Sequence, residues 1–216
     1  MTVTNYYIIG SFTVPSSWIA LIVAFVVAYS AVRTRYGKKH AEILSDAFFY
    51  LVIVWKLSVI LIDFSTVIRS PLTVLYFHGG ILGFYFGLVF IIGKILWGVK
   101  KGRYHTDGLI SLFSGAVLTQ VVFQLLMVLL NEGEWVAQGM TIVVFTLFAV
   151  YFWLISGKSG NWTIQLALLF MAVHVFVASF QPKGLVGTPL ITTIVNGILF
   201  AILFSLERRT ENGMEE

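Results

Sequence analysis

The stretch from Leu75 to Gly87 reads Leu-Tyr-Phe-His-Gly-Gly-Ile-Leu-Gly-Phe-Tyr-Phe-Gly, and it places one histidine and four glycines in an apolar segment. A histidine at membrane depth is costly unless it binds something or has a partner. The adjacent Gly79 and Gly80 loosen a helix at that point. Because Gly79, Gly83 and Gly87 recur every four residues, they also predict a flat face on which a second helix packs closely.

The composition around this stretch predicts a membrane protein. Of the 216 residues, 58% are hydrophobic and 11% are charged, and the mean hydropathy is +0.92. A soluble domain of this length could not bury so much apolar surface. The formal net charge of +4 is explained by membrane topology rather than by binding to nucleic acid. The absence of cysteine excludes disulfides, thiol catalysis and iron–sulfur ligation, and we expect no metal and no cofactor.

Hydropathy predicts an all-α, polytopic membrane fold of about seven transmembrane helices. The expected spans cover residues 16–32, 46–68, 72–99, 107–130, 135–155, 161–180 and 189–206. The third span would reach about 40 Å, which is more than the roughly 30 Å of a hydrocarbon core requires. We therefore expect a break or re-entrant turn around His78-Gly79-Gly80.

The basic residues predict that the N-terminus lies outside and the C-terminus inside, because positive charge is retained on the cytoplasmic side. Most of the 14 lysines and arginines then fall in inner loops, at Arg33, Arg35, Lys38, Lys39, Lys100, Lys101, Arg103, Lys158, Arg208 and Arg209. Residues 1–209 are expected to form a single transmembrane domain, and residues 210–216 a short, charged and disordered tail. No lysine or arginine precedes Arg33, so we expect no cleaved signal peptide.

Several polar residues of the predicted spans share a depth of about 5–10 Å below the outer surface. They are Asp63, His78, Gln120, Gln124, Gln138, His174 and Asn196. Lys56 would lie near the bilayer midplane, where a lysine costs about 2.5–3.5 kcal/mol and needs a partner. The shared depth predicts a polar chamber that opens toward the outer leaflet. The alternative is that the amides are hydrogen-bonded between helices and that His174 is structural.

The pattern resembles that of the bacterial prolipoprotein diacylglyceryl transferases, which have seven spans with the N-terminus outside. His78-Gly79-Gly80-Ile81-Leu82-Gly83 is similar to the His-Gly-Gly-Leu-Ile-Gly motif of that family. Ile9-Gly10-Ser11-Phe12 is similar to the family's entry into its first span. The chain departs from the family in the fourth span, where it has Leu118-Thr119-Gln120-Val121-Val122-Phe123-Gln124 in place of the arginine signature.

The resemblance implies an enzyme of the bacterial plasma membrane that transfers a diacylglyceryl group from phosphatidylglycerol to the cysteine of a lipoprotein precursor. In this chain it implies His78 as general base or orienting group and Lys56 as the partner of the phosphate. The substrate site would also contain Gly79, Gly80, Gln120, Gln124 and His174. Because the arginines are missing, the alternative is a non-catalytic relative that binds phospholipid or lipoprotein, or that partners another membrane protein. A small-solute transporter is a third hypothesis.

Overall fold

The computed structural model describes residues 3–10, 12–72, 74, 77–104, 106–156 and 162–212, and most of these are helical. An antiparallel hairpin of β1 (Tyr6–Ile9) and β2 (Phe12–Pro15) comes first. A 3-10 turn (Gly184–Val186) precedes the final helix. The helices in chain order are α1 (Ser16–Tyr36), α2 (Lys38–Leu57), α3 (Val59–Ile62), α4 (Phe64–Arg69), α5 (Gly80–Lys100), α6 (Thr106–Leu130), α7 (Trp135–Ile155), α8 (Trp162–Ala178) and α9 (Thr188–Asn212).

Six helical stretches in the described part of the chain are long and apolar enough to cross a membrane. They comprise α1, the stretch Lys38–Ile62 formed by α2 and α3, α5, α6, α7 and the Thr188–Glu207 portion of α9. The apolar helix α8 is somewhat shorter, and together they match the seven predicted spans. The all-α, multi-pass membrane fold is therefore confirmed, while the orientation stays a prediction.

The break expected within the third predicted span, around His78-Gly79-Gly80, is also confirmed. Residues 77–79 are not helical, and α5 begins at Gly80. The φ angle of Gly80 is +59°, in the left-handed region that a side chain disfavours. This glycine thus permits the turn from which the helix starts.

One predicted boundary differs from the structure. The second span was expected to begin at residue 46, but α2 begins at Lys38, since Gly37 with a φ angle of +87° separates α1 from α2 by a single residue. At the far end this stretch is interrupted at Ser58 and again at Asp63. The last helix, α9, continues to Asn212, and the boundary between the domain and its tail stays a prediction. Residues 213–216 lie outside the described part.

Small side chains allow α1 to lie directly against α6. Every fourth residue along α1 is completely buried, and these residues are Ser16, Ala20, Ala24, Ala28 and Val32. The most extensive contact between any two helices is the one between α1 and α6. Because lipid is as apolar as the side chains, helices in a membrane associate mainly through such close packing.

Aromatic rings join the opposite side of α6 to its neighbours. The ring of Phe113 in α6 lies 5.7 Å from that of Phe152 in α7 and 5.2 Å from that of Phe200 in α9. The stacked rings of Phe148 and Phe170 connect α7 to α8 at 5.6 Å. As a result, α6 is surrounded by protein and is the most buried of the spanning helices.

Asn131, buried just after α6, holds the hairpin on the bundle. Its Oδ1 accepts hydrogen bonds from the Thr4 N–H at 2.8 Å and from the Ser16 hydroxyl at 2.7 Å. Its Nδ2 donates to the Met127 carbonyl at 2.9 Å. Both ends of this amide are therefore engaged, which is the state a buried amide requires. The hairpin, which the sequence analysis does not predict, is fixed where α1 begins and α6 ends.

The glycines at a spacing of four form the predicted packing face, and the partner helix is α2. A Cβ atom added to Gly83 would lie 2.0 Å from the Ser58 Oγ, and one added to Gly87 would lie 2.9 Å from the Leu51 carbonyl oxygen. Both distances are too short for real contacts, so glycine is needed for α5 to approach α2.

We expect Gly87→Ala to lower the free energy of unfolding by about 1–3 kcal/mol, because the added methyl group meets the backbone of α2. Gly93→Ala is the matched control, since nothing lies within 4 Å of a Cβ at that exposed position of the same helix. The measurement is equilibrium unfolding in mixed micelles. Equal stability of the two variants would contradict the close contact between α5 and α2.

Candidate functional site

A cavity of about 150 Å³ lies among α1, α2, α5, α6 and α9. Its wall is apolar except for four side chains, which are Thr119 and Gln120 of α6 and Thr192 and Asn196 of α9. The apolar wall includes Phe25 of α1 and Phe48 of α2, whose rings stack at 3.9 Å. A pocket with an apolar body and a few polar groups is the usual form of a small-molecule site.

The four polar side chains of the cavity differ in their hydrogen-bond partners. The hydroxyls of Thr119 and Thr192 donate to carbonyls of their own helices, at 2.7 and 2.9 Å. The Nε2 of Gln120 donates to the Pro189 carbonyl at 3.2 Å, which joins α6 to the start of α9. Within the described part of the chain, the Gln120 Oε1 and the Asn196 amide make no hydrogen bond, and both residues line the cavity. These two amides are the open polar groups of the site.

His78 stands in an aromatic environment at the start of α5. Its ring centroid lies 4.5 Å from that of Trp55 and 5.9 Å from that of Trp18. The Trp55 Nε1 donates to the Gly80 carbonyl at 2.8 Å, and the Gly79 N–H donates to the Trp55 carbonyl at 3.2 Å. Trp55 therefore holds the chain on both sides of the helix start.

One hydrogen bond defines the protonation of the His78 ring. The Gly80 N–H donates to the Nδ1 at 3.0 Å, so Nδ1 carries no proton and the ring proton lies on Nε2. Burial and the charge of Lys56 both disfavour a positive charge on this ring. In this state His78 is a hydrogen-bond donor and not a ready base. Of the two roles given to it by the resemblance, the geometry favours the orienting one.

His174 belongs to a separate and completely buried network between α6, α8 and α9. Its Nδ1 lies 2.6 Å from the Thr193 Oγ1, and its Nε2 lies 3.3 Å from the Gln124 Nε2. Because an amide nitrogen only donates, the His174 Nε2 accepts and its Nδ1 carries the proton. The Gln181 Nε2 extends the network, donating to the Gln124 Oε1 at 3.4 Å and to the Thr141 Oγ1 at 3.3 Å.

The predicted site residues thus fall into three groups. His78, Gly79 and Gly80 lie together within the electrostatic reach of Lys56. Gln124 and His174 form the buried network, and Gln120 lies on the cavity. No hydrogen bond or ring contact between described residues joins one group to another. The single polar chamber predicted from depth stays a prediction.

Two other polar residues of the predicted chamber form hydrogen bonds with neighbouring protein groups. Gln138 donates to the Asn131 carbonyl at 3.1 Å, beside the hairpin. Asp63 is exposed, at the kink between α3 and α4, and accepts from the Ser65 hydroxyl at 3.5 Å. Neither residue lines the cavity.

The partners that complete these groups were not predicted from the sequence. They are Thr193 and Gln181 of the buried network and Trp18, whose ring lies against His78. A threonine in a membrane helix does not indicate a contact with another helix, because its hydroxyl can always donate a hydrogen bond to a carbonyl of its own helix. The positions of Trp18 and Trp55 become informative only when α1 is known to lie beside α2.

The fold and its cavity define the class of protein: a multi-pass α-helical membrane protein with a small, mainly apolar site between its helices. No group of three or more His, Cys, Asp or Glu among the described residues could hold a metal ion. Comparisons of the chain with protein-family models, with curated proteins and with solved structures each find no match.

We expect Thr193→Val to lower the free energy of unfolding by about 1–3 kcal/mol, because it leaves the buried His174 N–H without an acceptor. Thr192→Val is the matched control, since the Thr192 hydroxyl bonds only to the Thr188 carbonyl and its loss should cost less than about 1 kcal/mol. Unfolding in mixed micelles measures both. An equal effect of the two substitutions would mean that the His174 network does not stabilise the bundle.

Proposed function

We propose that this protein binds a single membrane lipid and that a segment of one acyl chain occupies the cavity. The observation that supports this proposal is the cavity, which lies between five helices. Its wall is apolar and includes two amides, Gln120 and Asn196, with hydrogen-bonding capacity left over. This proposal corresponds to the binding alternative of the sequence analysis.

The size of the cavity limits what it can hold. At about 150 Å³ it is comparable to an engineered protein cavity that holds one benzene molecule. A complete diacyl lipid is several times larger, so only part of one chain and its adjoining linkage fits between the helices. The remainder of the lipid lies along the outside of the bundle, in the bilayer.

Filling the cavity tests this proposal. Ala116, in the wall formed by α6, is replaced in Ala116→Leu, and Ala172→Leu adds the same atoms to the exposed face of α8. We expect the first variant to retain at least about tenfold less lipid after delipidation than the second, because the chain and the new side chain compete for one space. Native mass spectrometry of the purified proteins measures the retained lipid.

Wild-type protein without bound lipid would contradict the proposal. The same would follow if Ala116→Leu, folded by the criterion of an unchanged unfolding transition, retained as much lipid as Ala172→Leu.

A second candidate is transfer of a diacylglyceryl group from phosphatidylglycerol to a lipoprotein precursor in the bacterial plasma membrane. It is favoured by His78, which stands just before α5, and by Lys56 in the last turn of α2, whose charge acts on the His78 ring. The cavity wall of α5 starts at Phe84, about 6 Å of helix rise beyond Gly80. A lipid with its chain in the cavity would therefore carry its phosphate toward these two residues, where the His78 Nε2–H could donate to it.

The transfer assay uses vesicles that contain the protein, labelled phosphatidylglycerol and a peptide with a lipoprotein cysteine. We expect His78→Ala to lower the transfer rate by about 10²–10³, the usual effect of losing one donor to a developing charge. His40→Ala is the control, because that histidine bonds to the Tyr36 carbonyl, away from α5. If an authentic transferase labels the peptide and this protein does not, the second candidate is wrong.

A further inference from the structure

The two open amides of the cavity bear on which lipid the site takes. A lipid chain gains no hydrophobic free energy by moving from the bilayer into an equally apolar cavity. The apolar wall therefore accepts many chains without choosing between them. Selection between lipids depends on the polar groups that the linkage region of the lipid meets.

The cavity presents these polar groups without a charge. In the described part of the chain, every residue that lines it is uncharged. Lys94 lines an adjoining void of about 10 Å³, and its Nζ lies over the Tyr50 ring at 3.5 Å from the ring centroid. A phosphate placed in the cavity would lose its hydration without gaining an ion pair, which is strongly unfavourable.

The amides also define a pattern of donors and acceptors. The Gln120 Oε1 needs a donor, since its Nε2 is already bonded to the Pro189 carbonyl. The Asn196 amide offers both N–H groups and an oxygen. The Thr119 and Thr192 hydroxyls have already donated their protons within their own helices. A ligand that satisfies the site must therefore donate one hydrogen bond and accept another.

We infer that the cavity selects an uncharged lipid with a free hydroxyl next to an ester or amide carbonyl, as in a diacylglycerol. The hydroxyl donates to the Gln120 Oε1, and the carbonyl accepts from the Asn196 Nδ2. A phosphodiester lipid offers only acceptors at the same place, which leaves the Gln120 oxygen unpaired. This inference rests on the proposed lipid binding and specifies the ligand of the same site.

The experiment compares three photoreactive probes in vesicles of phosphatidylcholine that contain the full protein. The probes are a diacylglycerol, its methyl ether and a phosphatidylglycerol, each with a diazirine at one position of one acyl chain. We expect the diacylglycerol to label peptides of the cavity wall about tenfold more than either of the others, which corresponds to one hydrogen bond in an apolar site. Peptide mass spectrometry measures the labelling.

Variants then test the two amides. Asn196→Leu and Gln120→Leu should each bring diacylglycerol labelling down to the level of the methyl ether. Gln165→Leu is the matched control, because it removes an amide from the exposed face of α8 and should leave labelling unchanged. If a cavity variant does not fold, the comparison between the diacylglycerol and its methyl ether still tests the hydroxyl in the wild-type protein.

The labelling experiment distinguishes a failure of lipid binding from a failure of the selection for a hydroxyl. Equal labelling of the cavity by all three probes would overturn the selection for a hydroxyl while leaving lipid binding intact. Labelling of the cavity by none of the probes would overturn both. Labelling that is stronger for phosphatidylglycerol would overturn the present inference and support the transfer hypothesis.

Discussion

The contact between α1 and α6 is the constraint on which the other helices depend. In a bilayer there is little free energy to gain from moving apolar side chains out of lipid, so helices stay together where their backbones approach most closely. The buried series from Ser16 to Val32 provides that approach along the full length of α1. With α1 on one side and the rings around Phe113 on the other, α6 is enclosed by protein. The hairpin bound by Asn131 and one part of the cavity wall rest on this enclosed helix, while α5 packs mainly on α2 and α8 mainly on α9.

The fold class could be read from the sequence because a membrane imposes simple conditions on it. Spanning segments must be long and apolar, so hydropathy locates them, and a helix of excessive length next to His78-Gly79-Gly80 indicates a break. The glycine face of α5 was predictable for the same reason, since its spacing directly encodes a packing surface. The equivalent series of small residues in α1 was present as well, but alanine is so common in membrane helices that its spacing carries less information. The hairpin escaped prediction because it depends on Asn131, which is more than a hundred residues away in the chain.

The candidate site was less predictable, because depth along a helix axis does not say which side of the helix a residue occupies or which helix lies opposite. His78, Gln120 and His174 share a predicted depth, yet each faces a different set of neighbours. Predicted residues come together in three places in the described part of the chain: Gln124 pairs with His174, Gln120 and Asn196 line one cavity, and the charge of Lys56 acts on the His78 ring. His78, predicted as a general base or an orienting group, has its Nδ1 occupied by the Gly80 N–H. Asn196, predicted either in a polar chamber or in a contact between helices, lines a cavity.

The cavity wall has a consequence for how the protein is made. It combines Leu21 and Phe25 from the first helix with Thr192, Asn196 and Phe200 from the last helix described. A ribosome delivers these segments to the membrane in order, so the early helices enter the bilayer long before α9 has been translated. During that interval the wall is incomplete, and bulk lipid occupies the place that α9 later takes. The cavity is therefore among the last features of the molecule to form, because its wall is complete only after α9 has packed against α6.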